Sequence, residues 1–445
     1  MASTRKPRSS EVAACVADAV RAHVPAGARV VVGLSGGVDS AVLFDVLAEL
    51  AGEARFELRA LHVHHGLNPA ADAWAAHCTA LGARRGVRVD VVRVRVARNA
   101  GLGIERAARE ARYAAYRECG ADVIALAHHR DDQAETLLLQ LVRGAGVAGL
   151  AGMPVWQAGS PALLRPLLAL DRGTIEAAAC ERGLEWVHDD SNDDPRHARN
   201  ALRLHVLPLL RHLNSAASAN IARSAAHLAE AHGVLGEIGR VDLALCAAGE
   251  RLRVDALLAL GPARARNALR VRLGELGAAP PATRRLDALI AQLAARPDGR
   301  VLVRLDGIEA RRHRGELWLV PARADPAPDF RRAWPGDAVW PLPELGGTLR
   351  FEPVRGEGLD AVIVRPGAVE VRVRAGGERL RVGAGRPHRS LKNLFQESAL
   401  PPWERPRMPL VYCGGQLVCV PGIGTDPALS PPPGAPGYRV SWARR

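Results

Sequence analysis

Residues 35–40 read Ser-Gly-Gly-Val-Asp-Ser and stand between an apolar run at 28–34 and a second one that begins at Ala41. The first run predicts a buried strand and the second predicts the start of a helix. A glycine-rich turn in this position aims backbone N–H groups and a helix N-terminus at a phosphate. The two glycines allow close approach of an anion, the two serines add hydroxyl donors, and Asp39 can hold a magnesium ion. The stretch therefore predicts an α/β fold with a phosphate site at this turn.

The hexapeptide is not a Walker A sequence, because Asp39 stands where that motif has lysine. It resembles the PP-loop of N-type ATP pyrophosphatases, and the resemblance implies that ATP is split between its α- and β-phosphates to adenylate a substrate. A tight strand–helix turn without a ligand is the alternative. The residues predicted here to bind ATP are Ser35, Gly36, Gly37, Val38, Asp39 and Ser40.

Composition indicates a protein with a polyanionic partner. The 445 residues carry 60 basic and 47 acidic side chains, a net charge of +13, which favours nucleic acid. A general preference for arginine is the alternative, since lysine occurs only at Lys6 and Lys392. The seven cysteines form no C-x-x-C pair, which argues against a disulfide framework or an iron–sulfur or zinc knuckle and predicts a reducing cytoplasm. No apolar run approaches the roughly 18 residues of a membrane span.

Strand and helix signals predict three domains. Residues 1–215 alternate the two, which predicts a doubly wound, mostly parallel sheet, with Asn68 capping a helix that starts at Pro69. Residues 216–325 are rich in Ala, Leu and Arg and predict a helical middle domain. A proline-rich linker follows, and residues 337–445 predict a small α+β C-terminal domain.

Two further motifs follow predicted strands of the first domain. His62, His64 and His65 end one strand and are interpreted as the wall of a nucleotide pocket, with His62 as an ATP-binding residue. A dedicated transition-metal site is the weaker alternative, because no matching Cys or carboxylate stands at ligand spacing. The ends of parallel strands meet at one edge of such a sheet, so a single site can collect these motifs.

The second of these motifs, at 126–138, places His128 at a strand end and Asp132 and Glu135 on one face of the next helix. Paired carboxylates beside a nucleotide can hold magnesium, bind an ammonium or act as a base toward an amine, whereas a solvated capping box is the alternative. Arg112, on an earlier helix, suits a carboxylate or phosphate. Arg143 precedes a Gly-x-Gly-x-x-Gly stretch that follows a helix rather than a strand, so it indicates a turn whose arginine can reach phosphate.

These motifs together closely resemble the bacterial tRNA(Ile)-lysidine synthetase family. The resemblance is dense over residues 28–212, where it includes Arg165-Pro166-Leu167-Leu168, Asp190-Ser191-Asn192 and 199–203, and it resumes at 391–397 and 400–405. His64 and Asn68 stand where the family usually has Asn and Arg. The family's fold is a PP-loop ATPase of the adenine nucleotide alpha hydrolase type.

The resemblance implies that cytidine 34 of a CAU-anticodon tRNA(Ile) attacks ATP and that the ε-amine of free L-lysine then displaces AMP, with Mg²⁺ as cofactor. It also implies that the middle domain at 216–325 and the C-terminal domain at 337–445 bind tRNA and that no membrane is involved, and a homodimer is compatible with it. The implied catalytic residues are Asp39, Asp132, Glu135, Arg112 and His128. The implied tRNA-binding residues are Arg199, Asn200, Arg203, Arg379, Arg389, Lys392 and Arg405.

Two other enzyme classes compete with this interpretation. A PP-loop tRNA thiolase shares the N-terminal motifs but typically needs a catalytic cysteine, and the cysteines here lie away from those motifs. A metal-dependent phosphoesterase could be built on His62, His64, His128 and Asp132 and would need no ATP.

Overall fold

The computed structural model describes residues 8–96, 104–190, 194–295, 301–398 and 400–444. Its internal contacts divide the chain into two units, Met1–Ile238 and Gly239–Arg445, each described here by itself. Ser191 and Asn192 of the Asp-Ser-Asn motif lie outside the described residues. Among the helices of the described ranges, none combines the length and the apolar character that crossing a membrane requires.

Unit 1 is built on a six-stranded sheet with the order β3-β2-β1-β4-β6-β5. The strands are β1 (Arg29–Gly33), β2 (Glu57–His64), β3 (Val89–Arg93), β4 (Val123–Ala125), β5 (Trp156–Gln157) and β6 (Ala162–Leu164). Every pairing is parallel except that of β5 with β6, which confirms the predicted mostly parallel sheet.

Helices cover both faces of this sheet. The helices of unit 1 are α1 (Arg8–His23), α2 (Val38–Glu53), α3 (Ala71–Arg85), α4 (Ile104–Glu118), α5 (Arg130–Val142), α6 (Val147–Leu150), α7 (Arg172–Glu181), α8 (Ala198–Ala201), α9 (Leu207–Leu213) and α10 (Ala217–Cys246), the last of which ends in unit 2. Side chains alternate along a strand, so Val30 and Val32 pack with α1, α2 and α7, whereas Val31 packs with α4. This double coverage explains the continuous apolar runs of the inner strands β1, β4 and β6.

The cap predicted at Asn68 is wrong by two residues. Helix α3 begins at Ala71, and the Asn68 side chain instead accepts a hydrogen bond from the Ala70 N–H (2.9 Å). Asn68 therefore closes a short turn ahead of the helix, a local use of the asparagine side chain that competes with capping.

An ion cluster joins three helices on one side of the sheet. Asp45 of α2 is almost fully buried and accepts hydrogen bonds from Arg85 of α3 (2.6 Å) and Arg182, which follows α7 (2.7 Å). Glu49, one turn further along α2, receives Arg182 as well (3.0 Å). The cluster fixes α3 and α7 against α2, the helix that carries the PP-loop at its start.

Unit 2 begins with a five-stranded antiparallel sheet of order β7-β8-β11-β10-β9 that packs on helices. Its elements are β7 (Ala247–Ala248), β8 (Arg251–Arg253), α11 (Val254–Ala259), α12 (Pro262–Glu275), α13 (Thr283–Ala295), β9 (Leu302–Leu305), β10 (Ile308–His313) and β11 (Glu316–Pro321). The predicted helices are present, but the sequence analysis did not predict these strands. Glutamate and arginine alternate with apolar residues in the first half of β10, and the surrounding Ala- and Arg-rich sequence obscures this short pattern.

The rest of unit 2 is mostly antiparallel sheet, in agreement with the predicted small C-terminal domain. It contains β12 (Arg331–Ala333), β13 (Val339–Leu342), β14 (Gly347–Arg355), β15 (Leu359–Asp360), β16 (Val369–Arg372), β17 (Arg379–Leu380), β18 (Arg389–Ser390), α14 (Leu391–Glu397), β19 (Leu410–Cys413), β20 (Gln416–Val420), β21 (Gly424–Thr425) and β22 (Pro436–Arg444). These strands form sheets of five, four and two strands.

Candidate active site

Three sequence motifs meet at one edge of the unit 1 sheet. Strands β2, β1 and β4 are parallel neighbours, so their carboxyl ends lie side by side. The PP-loop follows β1, the histidines His62 and His64 end β2, and His128 follows β4. The structure thus brings together the three motifs that the sequence places at strand ends.

The conformation of the PP-loop is set by Gly36 and by hydrogen bonds of its own serines. Gly36 has a φ of +90°, and a Cβ added there would lie 2.9 Å from the Val187 side chain. Ser40 is buried and donates to the Gly37 carbonyl (3.0 Å), and its Oγ lies 3.0 Å from that of Ser35. Val38 is buried too, so this residue can offer a ligand only its backbone. The loop is shaped as a cradle of backbone groups at the start of α2.

Asp39 lies in the first turn of α2 and is largely buried. Its Oδ1 has no hydrogen-bond partner among the described residues and lies 3.8 Å from His129 Nε2. Burial raises the pKa of the Asp39 carboxyl, while His129 and then Arg172 oppose the rise. The site therefore favours a positive charge beside Asp39.

His62 supports the loop from behind. It is buried, and its Nδ1 lies 2.9 Å from the Leu34 carbonyl at the end of β1 and 3.3 Å from Cys78 Sγ. Burial lowers the pKa of His62, so its ring is neutral and Nδ1–H donates to that carbonyl. Burial also raises the pKa of the Cys78 thiol to about 12, which makes it a poor nucleophile.

The acidic pair at the start of α5 is clamped by two arginines. Glu135 is fully buried, and its carboxylate accepts from Arg199 Nε (2.6 Å), Arg203 Nε (2.7 Å) and Arg203 Nη2 (3.1 Å). Asp132 accepts from Arg199 Nη2 at Oδ1 (2.8 Å) and from the His129 backbone N–H at Oδ2 (2.9 Å). We call Asp132, Glu135, Arg199 and Arg203 the carboxylate clamp.

A π-helical turn positions one half of this clamp. Helix α8 carries Arg199, and the π turn Leu202–Val206 that follows it carries Arg203 before α9 begins. Such turns occur often at functional sites. Arg199 and Arg203, which sequence analysis assigned to tRNA binding, therefore bind carboxylates of α5 in the structure.

Opposing charges set the ionisation of Asp132 and its neighbour His128. Burial works against the Asp132 anion, but His129 and Arg199 hold the pKa of that carboxyl below its usual value. Burial lowers the pKa of His128 to about 3, and its Nδ1 has no partner within the described ranges. The ionised Asp132 carboxylate thus lies near the neutral His128 imidazole, whose Nδ1 can bond a ligand.

An open cleft of about 680 Å³ adjoins the clamp, a volume typical of small-molecule sites. It is lined from α5, α7, α9 and α10 by residues that include His129, Arg130, Asp131, Glu135, Arg172, Glu176, Arg203 and Arg211. Its cations are engaged, for example Arg211 with Asp131 (2.6 Å) and Arg172 with Glu176 (2.8 Å).

Arg112 is exposed on α4 and lies toward the histidines of β2. Burial and this guanidinium together lower the pKa of His65 to about 4. Over the described part of the chain, Arg112 forms no hydrogen bond or ion pair. It is thus available to an anionic ligand at the same sheet edge.

Several predicted residues are not brought to this edge. Arg143 is exposed just after α5, about 16 Å along the helix axis from Asp132 at 1.5 Å per residue. Asn200 is buried and donates to the Asp194 carbonyl (3.0 Å), so it shapes the preceding turn.

The predicted C-terminal tRNA residues lie in unit 2. Arg379 donates to the His388 carbonyl (2.8 Å), Arg389 pairs with Glu397 (2.8 Å) and Arg405 Nε donates to the Leu400 carbonyl (3.1 Å). Lys392 is exposed on α14 and forms no hydrogen bond or ion pair within the parts of unit 2 that the structure describes.

Sequence reasoning missed His129 and Arg172. His129 precedes α5 and lies between Asp39 and Asp132, with Nε2 3.5 Å from Asp132 Oδ2. The His-His pair was a signal, but either histidine could have faced the site. Arg172 starts α7, a helix far along the chain, and no local pattern connects it with Asp39.

Comparisons with known proteins cover both units. A family described as a PP-loop domain matches residues 9–210, a TilS substrate binding domain matches 252–318, and a TilS substrate C-terminal domain matches 369–442. A tRNA(Ile)-lysidine synthase of Ralstonia nicotianae is 44% identical over 98% of this chain and 96% of its own. Proteins of the same name from Nitrosomonas europaea and Aromatoleum aromaticum are 38% and 41% identical, over 99% and 96% of this chain and 98% and 100% of their own lengths.

Proposed function

This chain belongs to the tRNA(Ile)-lysidine synthase family, and from that premise we propose how its residues carry out ATP-dependent formation of lysidine on tRNA(Ile). The observation that supports the proposal most is the meeting, at one sheet edge, of a PP-loop and a buried acidic pair. Two substrates can thus react in sequence at adjacent places. The thiolase and phosphoesterase alternatives are not favoured by the relatives.

The first proposed step is adenylation of the tRNA. Oxygen O2 of cytidine 34 in a CAU anticodon attacks the α-phosphorus of ATP, the bond to the β-phosphate oxygen breaks, and pyrophosphate leaves. The backbone cradle at 35–40 holds the departing phosphates. Asp39, whose buried Oδ1 lacks a partner among the described residues, fits Mg²⁺, which would neutralise phosphate charge when bound.

The second proposed step transfers free L-lysine. Its ε-ammonium first gives up one proton to become an amine, the amine attacks C2 of the activated cytidine, the C2–O bond breaks and AMP departs, and the new C–N nitrogen then loses a second proton. Of the two carboxylates, we assign Asp132 to the amine, because Glu135 is fully buried and both its oxygens accept from arginine. Because its pKa is depressed, Asp132 is a weak base and acts chiefly by positioning the lysine nitrogen, whose proton passes to solvent before the attack.

The carboxylate clamp then has a defined part in lysine binding. Arg199 bonds Asp132 through Nη2 and Glu135 through Nε. An incoming ammonium must replace the first of these bonds, whereas the second can stay. Glu135 and Arg203 are thus positioning residues, and Asp132 contacts the substrate.

Two other residues complete the proposed site. Arg112, exposed and without an ion pair in the described ranges, binds the lysine carboxylate or a phosphate. His128 is neutral at physiological pH, since its pKa is about 3, and accepts a hydrogen bond rather than contributing charge.

We assign recognition of tRNA chiefly to the middle and C-terminal regions at 216–325 and 337–445. The net charge of +13 and the exposed Lys392 support a salt-sensitive contact with the RNA backbone. Arg379, Arg389 and Arg405 belong to the same proposal. A cytoplasmic location is supported by seven free cysteines, and a homodimer by exposed Leu209 and Leu213 on α9.

The test uses purified protein, ATP, Mg²⁺, labelled lysine and a CAU-anticodon tRNA(Ile), followed by nucleoside analysis. ATP-dependent label in a modified cytidine, with AMP and pyrophosphate released, is the expected result. A tRNA with a GAU anticodon is the matched control and should stay unlabelled. Absence of label from the CAU tRNA would overturn the proposal, and incorporation of sulfur would indicate a thiolase.

A further inference from the structure

Unit 2 contains a second cleft, which has no part in the chemistry above. It is open, has a volume of about 410 Å³ and lies between strands β8, β10 and β11 and the segment after α14. Its lining includes Arg251, His313, Arg314, Trp318, Leu400 and Arg444. The cleft thus joins the two regions of unit 2 that match separate substrate-binding families.

Arg314 at the mouth of this cleft has an unfavourable backbone conformation. It and Gly315 form the two-residue turn between β10 and β11, with φ angles of +50° and +77°. This turn type prefers Asn, Asp or Gly at its first position. The preceding hairpin of the same sheet follows that rule, with Asp306 and Gly307 at +45° and +89°. A strained arginine in the equivalent position points to a use for its side chain.

Arginines dominate the charge of the cleft. The cleft is lined by Arg251, Arg314 and Arg444 and by a single carboxylate, Glu316, which Arg251 binds at 2.7 Å. Glu404, which is not part of the lining, lies 3.6 Å from Arg444. Arg314 uses one N–H group on the Gln396 carbonyl (3.1 Å) and is otherwise exposed. Hydrogen-bond donors of the arginines therefore outnumber the carboxylate acceptors of the cleft lining, which favours an anionic ligand.

One tryptophan, Trp318, lines the cleft and packs against a second, Trp403. The rings of Trp318 and Trp403 meet edge to face with centroids 5.8 Å apart, and Arg251 stacks on Trp318 (4.7 Å). The Nε1 atoms of both indoles are buried and have no hydrogen-bond partner among the described residues. An indole N–H left without an acceptor is costly, so a ligand that supplies an oxygen is favoured.

We propose that this cleft binds one unpaired nucleotide of the tRNA substrate. Arg314 and Arg444 contact its phosphate, and Trp318 donates to an oxygen of its sugar or base. The recess admits a single nucleotide but is too small for a duplex, and guanidinium groups with aromatic rings are the usual partners of unpaired RNA. The inference rests on the proposed function in taking tRNA as the ligand.

The test measures affinity for labelled tRNA(Ile) by fluorescence anisotropy across a range of salt concentrations. Arg314→Gly relieves the backbone strain, so its melting temperature should equal or exceed that of the wild type. Its tRNA affinity should fall about fivefold and its salt slope by about one, as for loss of one phosphate contact. Trp318→Phe, which keeps a ring but removes the N–H, should weaken binding about threefold.

Arg55→Gly is the matched control. Arg55 is an exposed arginine of unit 1 with a φ of +56°, so the variant removes the same charge and the same strain. Its tRNA affinity should stay within about twofold of the wild type. Equal affinity and salt slope for the Arg314→Gly and Arg55→Gly variants would overturn the inference.

Competition separates an unpaired nucleotide from other RNA. A short single-stranded oligoribonucleotide should compete with tRNA more strongly for the wild type than for Arg314→Gly, whereas a blunt duplex should not distinguish the two. The reverse preference would also overturn the inference. If the wild type binds tRNA but forms no lysidine, the proposed function fails, and these binding results still decide the cleft.

Discussion

Neutralising Glu135 should destabilise the start of α5 more than any surface charge change. In Glu135→Gln the fully buried side chain keeps one carbonyl acceptor but loses its charge, while Arg199 and Arg203 remain beside it. The three hydrogen bonds from arginine to this carboxylate are reduced to those that a single amide oxygen can accept, and two guanidinium groups lose their buried counter-charge. The expected loss in local free energy of unfolding is about 2–4 kcal/mol, which overlaps the lower end of the range for breaking a buried ion pair.

Hydrogen exchange of the α5 amides measures this local free energy without requiring the two units to unfold together. Glu110→Gln is the control, because Glu110 pairs with Arg106 on the exposed face of α4 (2.9 Å) and should cost less than about 1 kcal/mol. Combining Glu135→Gln with Arg203→Gln should recover about 1–3 kcal/mol as a coupling energy. A Glu135→Gln variant within about 0.5 kcal/mol of the wild type would refute the clamp as a stabilising element.

Three further predictions test other parts of the account. Asp45→Asn should lower the free energy of unfolding of unit 1 by about 3–5 kcal/mol in urea titrations, because two arginines lose their buried carboxylate; a loss below 1 kcal/mol would show that the cluster is dispensable. Gly36→Ala should reduce ATP-dependent pyrophosphate release at least tenfold, because the φ of Gly36 is +90° and the new Cβ would lie 2.9 Å from Val187. A Cβ at Gly37 meets nothing nearer than 3.6 Å, so the Gly37→Ala variant should keep more activity. Equal pyrophosphate release by the two variants would contradict the geometry. Since burial lowers the pKa of His128 to about 3, this group stays neutral above that pH, and the ratio of wild-type to His128→Asn rates should be flat from about pH 5.5 to 8.5; a ratio that changes through this range would show that His128 titrates there.

The sequence predicted the sheet, and the edge of it at which three motifs meet, because both follow from local patterns. The apolar run of β1, the glycines after it and the histidines after β2 and β4 each mark a strand end, and parallel topology brings such ends together. It did not predict the carboxylate clamp. Arg199 and Arg203 lie more than sixty residues beyond Glu135, and only the packing of α8 and the π turn on α5 reveals that they neutralise it.

The strands of the middle region escaped prediction for a different reason. In β10 the residues Ile308 and Ala310 alternate with Glu309 and Arg311, but such short runs within Arg- and Ala-rich sequence are also compatible with helix. The Trp318–Trp403 contact joins segments 85 residues apart, and no local pattern encodes it.

The central claim is that Asp132 serves lysine transfer while the PP-loop alone activates the tRNA. The most direct measurement supplies Asp132→Asn with ATP labelled in its α-phosphate and follows label in the tRNA, with and without lysine. The account predicts that the variant adenylates the tRNA within about tenfold of the wild-type rate, accumulates this adduct and forms lysidine at least a hundredfold more slowly. Lysidine formation at the wild-type rate, or an equal loss of adenylation and lysine transfer, would contradict it.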